Sequence, residues 1–193
     1  MMETLRVVLA DDESIRLMSL KTQLESLGLQ VVGEAVNGKQ AVDLVCRLKP
    51  DLAILDIKMP EMDGLEAAKA IAAEYPIPVI VLTAYSERSL AERAIEAGVF
   101  AYLMKPVSED DLLPTILLAK SRFQEFQDLR RGISDLKEAL ETRKLIERAK
   151  GILMERRNLT EAEAFRRMQI QSQNENKKLA EIAQAIIMAD RML

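Results

Sequence analysis

Short apolar runs alternate with segments of helical spacing over the first 120 residues, and this alternation constrains the fold more than any other feature. The runs are LRVVLA, QVVGEAV, LAILD, PVIVLT and VFAYLM. Their hydrophobicity is continuous rather than alternating, which is typical of strands that are covered on both faces. Five consecutive βα units of this kind predict an α/β domain with a doubly wound, five-stranded parallel sheet.

Polar side chains follow four of the five strands of this predicted sheet. Asp11 and Asp12 follow the first strand, and Asp56 ends the third. Thr83 ends the fourth strand, and Lys105 follows the fifth. Ligands of doubly wound sheets bind beyond the carboxyl ends of the strands, at the point where the strand order switches. We therefore expect these five side chains to converge at one edge of the sheet.

A divalent cation would explain why the stretch VVLADDE places three carboxylates directly after a buried strand. Adjacent carboxylates repel one another and resist desolvation. Magnesium prefers oxygen ligands, whereas zinc or copper would require His or Cys; the chain has no His and one Cys, Cys46. The sequence therefore predicts a Mg²⁺ site at which Asp56, central in the sheet, attacks a phosphoryl group. Thr83 and Lys105 would bind the phosphoryl oxygens.

The composition also restricts the chemistry and the compartment. Without His the chain lacks the usual general base and cannot itself carry a phosphohistidine. A single cysteine excludes an intrachain disulfide. The N-terminus does not resemble a signal peptide, and no apolar run approaches the roughly 20 residues of a membrane span. These features predict a cytoplasmic protein with no membrane partner.

Residues 1 to about 125 resemble the receiver domain of two-component response regulators. The resemblance rests on DDE, LAILDIKMPEMDG, VIVLTAY and AYLMKP, in this order and at similar spacing. It implies a flavodoxin-like fold in which Asp56 accepts a phosphoryl group from the phosphohistidine of a sensor histidine kinase. It also implies that Asp11, Asp12, Asp56 and the backbone carbonyl of Lys58 bind Mg²⁺. It further implies a conformational switch made by Thr83 and Tyr102, and a cis peptide bond between Lys105 and Pro106.

Aspartyl phosphatases are an alternative, because they combine an Asp nucleophile with Mg²⁺, a Thr and a Lys on a related sheet. They resemble one another in an Asp-x-Asp motif whose second acid protonates the leaving group. Here Asp11 and Asp12 are adjacent, and Lys58 stands two residues beyond Asp56. A lysine cannot supply that proton at neutral pH. We therefore expect a phosphoacceptor that loses its phosphoryl group slowly, and not an enzyme.

A long helical segment follows Pro106. Ser108 and Asp111 predict a capping box at its start, and Pro114 lies within it. Apolar residues then follow a heptad pattern; they are Phe126, Leu129, Ile133, Leu136 and Leu140. This seam predicts a parallel coiled coil and a homodimer on activation. The alternative is a lone amphipathic helix that packs on its own domain.

The last 50 residues contain helical patterns only. Asn158 is expected to end one helix, and Thr160 with Glu163 forms a capping box for the next. Asn176 is expected to cap the start of a final helix. Residues 1–128 hold 13 basic and 21 acidic residues, a balance of −8, whereas residues 129–193 hold 14 and 10, a balance of +4. This change of sign suggests two domains with different partners.

The segments LIERAKGILMERRNLTEAEAF and NKKLAEIAQAII are similar to the ANTAR domain of transcription antitermination regulators. The similarity implies a three-helix domain that binds paired RNA hairpins in nascent leader transcripts as a dimer. The candidate RNA contacts are Ala149, Lys150, Gly151, Lys177 and Lys178, because small residues admit the RNA backbone and lysines neutralise phosphates. For Ala149 and Gly151 the alternative is a role in packing. For the basic residues the alternative is a solvated face without an RNA partner. Met168 and Gln169 stand where many family members carry a Leu-Arg pair.

The predicted organisation is a receiver domain over 1–122, a helical linker or short coiled coil over 123–140, and an ANTAR-like all-α domain over 130–193. The function implied is a phosphorylation-controlled RNA-binding antiterminator. A DNA- or protein-binding helical output domain on the same receiver is the alternative.

Overall fold

The N-terminal part of the chain forms a five-stranded, all-parallel sheet in the computed structural model, which describes residues 4–84, 93, 94 and 96–191. The strands are β1 (Arg6–Ala10), β2 (Gln30–Ala35), β3 (Leu52–Asp56), β4 (Val79–Thr83) and β5 (Ala101–Met104). Their order, β2-β1-β3-β4-β5, places the switch point between β1 and β3. The predicted doubly wound fold is confirmed. Tyr85, the last residue of VIVLTAY, lies outside the described residues.

Six helices occur within the described residues. They are α1 (Ser14–Ser26), α2 (Gly38–Leu48), α3 (Gly64–Glu74), α4 (Glu109–Arg157), α5 (Glu161–Glu175) and α6 (Leu179–Arg191). None of these helices has the length and apolar character that crossing a bilayer requires.

The two faces of the sheet carry separate apolar cores. On β1, Val8 and Ala10 belong to the core beneath α2 and α3, whereas Val7 and Leu9 belong to the core beneath α1 and the first turns of α4. Successive side chains of a strand point to opposite faces, so a strand covered on both sides must be apolar at every position. This requirement explains the continuous apolar runs in the sequence.

The start of α4 differs in detail from the predicted capping box. The helix begins directly after Ser108, and the Ser108 carbonyl accepts the amides of Asp111 and Leu112 at 3.2 and 3.3 Å. The Ser108 hydroxyl donates to the Asp111 carboxylate at 2.5 Å instead of accepting a backbone amide. Pro114 lies inside the helix, as expected. Its nitrogen carries no hydrogen, so the Asp110 carbonyl, four residues earlier, loses its intrahelical donor.

The chain divides into two compact units, Met1–Gln127 and Asp128–Leu193. The core of the second unit joins the last turns of α4 to α5 and α6. Its buried members are Ala149, Met168, Ile182, Ala183 and Ile187. The domain limits at 122, 140 and 130 remain predictions.

Two of the three caps predicted in the second unit are confirmed, and one is wrong. Asn158 adopts a left-handed conformation after α4, and Thr160 and Glu163 form the capping box of α5. Asn176 ends α5 with a φ of 51°, whereas α6 begins only at Leu179. Asparagine tolerates the left-handed region and also caps helix N-termini, so its position between two helices does not decide which one it caps.

Candidate functional site

Three carboxylates meet at the carboxyl ends of β1 and β3. Asp11, Asp12 and Asp56 each place an oxygen within 4.8 Å of the others. The side chains of Asp11 and Asp56 are only 1% and 6% exposed, whereas Asp12 is exposed. The site therefore holds two buried carboxylates and one that faces solvent.

The loop after β3 fixes the Asp56 backbone against the start of α3. The Gly64 amide donates to the Ile57 carbonyl at 2.9 Å. A Cβ atom on Gly64 would lie 2.1 Å from the Asp56 carbonyl oxygen, so a side chain at this position would push α3 away from the site. The Asp63 carboxylate caps α3 in a complete capping box with Glu66. Gly64 thus allows the close approach that holds Asp56 in place.

Lys105 lies against the two buried carboxylates. Its Nζ is 2.9 Å from Oδ2 of Asp56 and 3.1 Å from Oδ2 of Asp11. Its amide donates to the Thr83 carbonyl at 2.8 Å, and the Lys105–Pro106 peptide bond is cis, as the resemblance implies. Residues from β1, β3 and the segment after β5 are therefore brought together at one edge, as the strand pattern predicts.

The remaining predicted site residues lie close by in the fold, and their roles remain predictions. Thr83 is buried at the end of β4, and Lys58 stands in the exposed loop after β3. Tyr102, on β5, is more than half exposed, so it does not belong to the core in this structure. A cavity of about 460 Å³ borders the site, lined in part by Asp11, Lys105 and the small residue Ala84.

The two buried carboxylates differ in their protonation equilibria. Burial raises the pKa of Asp56, and the hydrogen bond and charge of Lys105 offset this only in part. Burial also acts to raise the pKa of Asp11, but hydrogen bonds from Arg16, the Glu13 amide and Lys105 outweigh it and leave this pKa below its usual range. A positive ligand beside Asp56 would favour its charged form.

Arg16 is a site residue that the sequence reasoning missed. Its Nε donates to both carboxylate oxygens of Asp11 at 3.0 Å, and its Nη2 lies 3.3 Å from Asp12 and 3.4 Å from Asp56. The signal in the sequence was a cation in the first turn of a helix, where the helix dipole disfavours positive charge, directly after three acids.

The donor set at this edge fits Mg²⁺. The cluster offers carboxylate oxygens only, and one of its members is open to solvent, which suits a cation that keeps several waters. Asp11, Asp12 and Asp56 are the residues that would hold the ion.

In the second unit, the predicted RNA contacts divide into buried and exposed residues. Ala149 has no exposed surface and packs in the core, so the packing alternative holds and its prediction as a surface contact is corrected. The Lys150 side chain is 9% exposed, with its Nζ 2.6 Å from Glu161 and 2.9 Å from Glu147. The same Nζ lies 6.0 Å from the ring centroid of Phe165. Lys150 therefore joins α4 to α5.

Three of the predicted RNA contacts remain at the surface. Gly151 is exposed, and a Cβ atom there would meet nothing within 4 Å, so close packing does not explain this glycine. Lys177 is exposed and pairs with Glu175 at 2.7 Å, and Lys178 is exposed. Their contact with RNA remains a prediction.

The heptad seam of α4 is exposed along its whole length. Its five residues, Phe126, Leu129, Ile133, Leu136 and Leu140, have exposed fractions between 46% and 72%. The Phe126 ring lies edge-on to Phe100 of the receiver, with the ring centroids 5.9 Å apart, so the first residue of the stripe packs on its own domain, whereas the other four are more than half exposed. Dimerisation through it remains a prediction.

Two known domain families match the chain. Residues 7–117 match the response regulator receiver domain, and residues 134–187 match the ANTAR domain. The first match covers the carboxylate cluster, and the second covers Lys150 and the exposed lysines.

Individual relatives show the same division. The transcriptional regulatory protein PdtaR of Mycobacterium tuberculosis is 45% identical over 182 residues, which cover 94% of this chain and 89% of that protein. A protein-glutamate methylesterase/protein-glutamine glutaminase of Hahella chejuensis is 41% identical over 103 residues, 52% of this chain and 30% of the enzyme. The REC domain of AraT, a response regulator from Geobacillus stearothermophilus, is 32% identical with a TM-score of 0.56, covering 64% of this chain and 98% of that structure.

Proposed function

Since the chain belongs to the response regulators and combines a receiver domain with a C-terminal ANTAR domain, we propose that phosphorylation of Asp56 controls its binding to RNA hairpins in nascent leader transcripts, and hence transcription antitermination. The observation that carries the proposal is the buried Asp56 carboxylate, which Lys105 bridges to Asp11. The ANTAR family is not enzymatic, so the output is binding rather than catalysis.

The phosphoryl group is transferred from a phosphohistidine of a sensor histidine kinase. A carboxylate oxygen of Asp56 attacks phosphorus, the new P–O bond forms, and the P–N bond breaks with its electron pair leaving on the imidazole. Asp11, Asp12, Asp56 and the Lys58 carbonyl would hold Mg²⁺, which would supply positive charge to stabilise the transferring phosphoryl oxygens. The Lys105 ammonium, 2.9 Å from Asp56, donates to the same oxygens.

Hydrolysis of the acyl phosphate is slow in this site. The residue two positions beyond Asp56 is Lys58, which cannot protonate a leaving group at neutral pH. Water must therefore act without a general acid from that position. The phosphorylated state persists and acts as a switch.

Phosphorylation changes the surface beside β4 and β5. The Thr83 hydroxyl binds a phosphoryl oxygen, and the half-exposed Tyr102 ring is repositioned. The new surface and the apolar seam of α4 together favour a homodimer, which pairs two ANTAR domains. Two linked domains bind two hairpins more tightly than one because the second contact is intramolecular.

The test measures RNA binding in both states of Asp56. The full chain is incubated with Mg²⁺, with or without acetyl phosphate, and gel shifts with hairpin RNA and duplex DNA are compared across a salt series. We expect phosphorylation to strengthen hairpin binding and to produce dimers, which light scattering detects. Asp56→Asn should remove both responses, whereas Asp43→Asn, which changes an exposed carboxylate on α2, should retain them.

Two results would contradict the proposal. Equal hairpin binding by Asp56→Asn and the phosphorylated protein would show that phosphorylation of Asp56 does not control RNA binding. Preference for duplex DNA at every salt concentration would favour a DNA-binding output instead.

A further inference from the structure

Arg16 contacts every carboxylate of the proposed magnesium site. Its guanidinium lies 2.9 Å from Asp11, 3.3 Å from Asp12 and 3.4 Å from Asp56. A single cation thus contacts three acids from two strand ends. These are the groups that a divalent cation would bind.

The helix dipole does not explain a cation at this position. Arg16 lies in the first turn of α1, where the positive end of the helix dipole repels cations. Two of its ion pairs, with Asp12 and Glu13, are local i,i+4 and i,i+3 pairs, whereas those with Asp11 and Asp56 belong to the buried cluster. The arginine is therefore held by carboxylates and not by the helix dipole.

Arg16 and Lys105 approach the cluster differently. Lys105 is 17% exposed and contacts the Oδ2 atoms of Asp11 and Asp56, whereas Arg16 is 38% exposed and also contacts the exposed Asp12. Arg16 has a further partner, Glu13, at 2.5 Å, which lies outside the three-carboxylate cluster. Arg16 can therefore leave the cluster toward solvent and keep an ion pair, while Lys105 stays.

We propose that Arg16 is an internal counter-ion of the magnesium site, which the divalent cation must displace, so that Arg16 sets the Mg²⁺ concentration at which Asp56 becomes phosphorylated. This inference rests on the magnesium site of the proposed function. It assigns to Arg16 a regulatory role that the phosphoryl transfer itself does not require.

The experiment is a calorimetric titration of the full chain with MgCl₂. Arg16→Gln should bind Mg²⁺ about tenfold more tightly than the wild type. The glutamine neither competes with Mg²⁺ for the three carboxylates nor repels it at short range. Arg16→Lys keeps the positive charge but loses the planar guanidinium group, so its Mg²⁺ affinity should lie between those of the wild type and Arg16→Gln. Arg47→Gln removes an exposed arginine of α2 and should leave the affinity unchanged.

Thermal unfolding gives an independent readout. Without Mg²⁺, Arg16→Gln should melt below the wild type, because Asp11 and Asp56 then lose one of the two cations that pair with them. Saturating Mg²⁺ should remove or reverse this difference. If Arg16→Gln does not fold, the Arg16→Lys titration decides the question.

The results distinguish a failure of the role of Arg16 from a failure of the magnesium site. Mg²⁺ affinities of Arg16→Gln and Arg16→Lys equal to or weaker than that of the wild type would overturn the role of Arg16 and leave the magnesium site intact. A gain of equal size in Arg47→Gln would assign the effect to net charge and would also overturn it. Absence of Mg²⁺ binding by every variant and the wild type would overturn the magnesium site together with this inference.

Discussion

The receiver and ANTAR units hold buried charge in opposite ways. In the receiver, the buried carboxylates of Asp11 and Asp56 share Lys105 and Arg16, and burial still raises the pKa of Asp56. In the ANTAR unit, the buried Lys150 ammonium is paired with Glu147 and Glu161. A further cation beside Asp56 would lower the pKa of this carboxyl, whereas the Lys150 ammonium already pairs with two carboxylates and links α4 to α5.

The two units also differ in the size of their cores. The receiver core has one apolar cluster on each face of the sheet, whereas the ANTAR core has one cluster with five buried members. A helical unit with so small a core has little stability to lose. Burial of the exposed α4 seam in a dimer would add apolar contacts that the ANTAR unit lacks by itself.

The largest effect is expected when the seam is disrupted. Leu136 is largely exposed, so Leu136→Asp should change the stability of the monomer by less than about 0.5 kcal/mol. In the phosphorylated dimer it should cost about 3–6 kcal/mol, roughly 1.5–3 for each protomer, and weaken dimerisation at least about 100-fold. Sedimentation equilibrium measures this, with Ser134→Asp, off the seam, as the control. Equal effects of the two changes would refute a dimer through this stripe.

Core truncation should distinguish the stability margins of the two units. Met168→Ala and Ile54→Ala each remove a fully buried side chain and should each cost about 2–5 kcal/mol. We expect Met168→Ala to unfold the ANTAR unit while amide hydrogen exchange in the receiver stays slow. The exposed Met188→Ala is the matched control. Similar exchange in both methionine variants would show that the small core is not limiting.

Lysine substitutions should separate the structural lysine from the surface lysines. Lys177→Ala and Lys178→Ala should each weaken hairpin binding and lower the slope of log affinity against log salt by about 1, if each contacts one phosphate. Their melting temperatures should stay near the wild-type value. Lys150→Ala should instead lower the melting temperature of the ANTAR unit, because two carboxylates lose their partner. A lower salt slope for Lys150→Ala with unchanged melting would reverse these assignments.

The smallest effect concerns the capping box of α5 and its pH dependence. Hydrogen bonds from the Thr160 hydroxyl and amide hold the pKa of Glu163 below its usual range. A lowered folded-state pKa stabilises the fold above the unfolded pKa, and this stabilisation is lost as the pH falls through the folded value. Loss of the N-cap in Thr160→Ala should cost about 1 kcal/mol at neutral pH. The cost should be smaller in acid, where the Glu163 carboxylate is protonated. Urea unfolding at both pH values measures this; a cost that does not fall in acid would contradict it.

Much of the receiver could be predicted from the sequence because its signals are local. Continuous apolar runs predict strands covered on both faces, and the residues that end those strands must meet at one edge of a parallel sheet. The caps at Asn158 and Thr160 were predicted for the same reason, since a cap depends on neighbouring residues only. Asn176 shows the limit, because its local chemistry suits the end of one helix and the start of another.

The parallel sheet, its convergent carboxylates and the helical character of the last 50 residues follow from the sequence, because they depend on hydrophobic periodicity and chain direction. The contacts of Arg16 with Asp56 and of Lys150 with Glu161, and the burial of Ala149, depend on the tertiary structure. These contacts join side chains from separate elements. Which partner a long charged side chain finds depends on how those elements pack, and no local pattern encodes that distance.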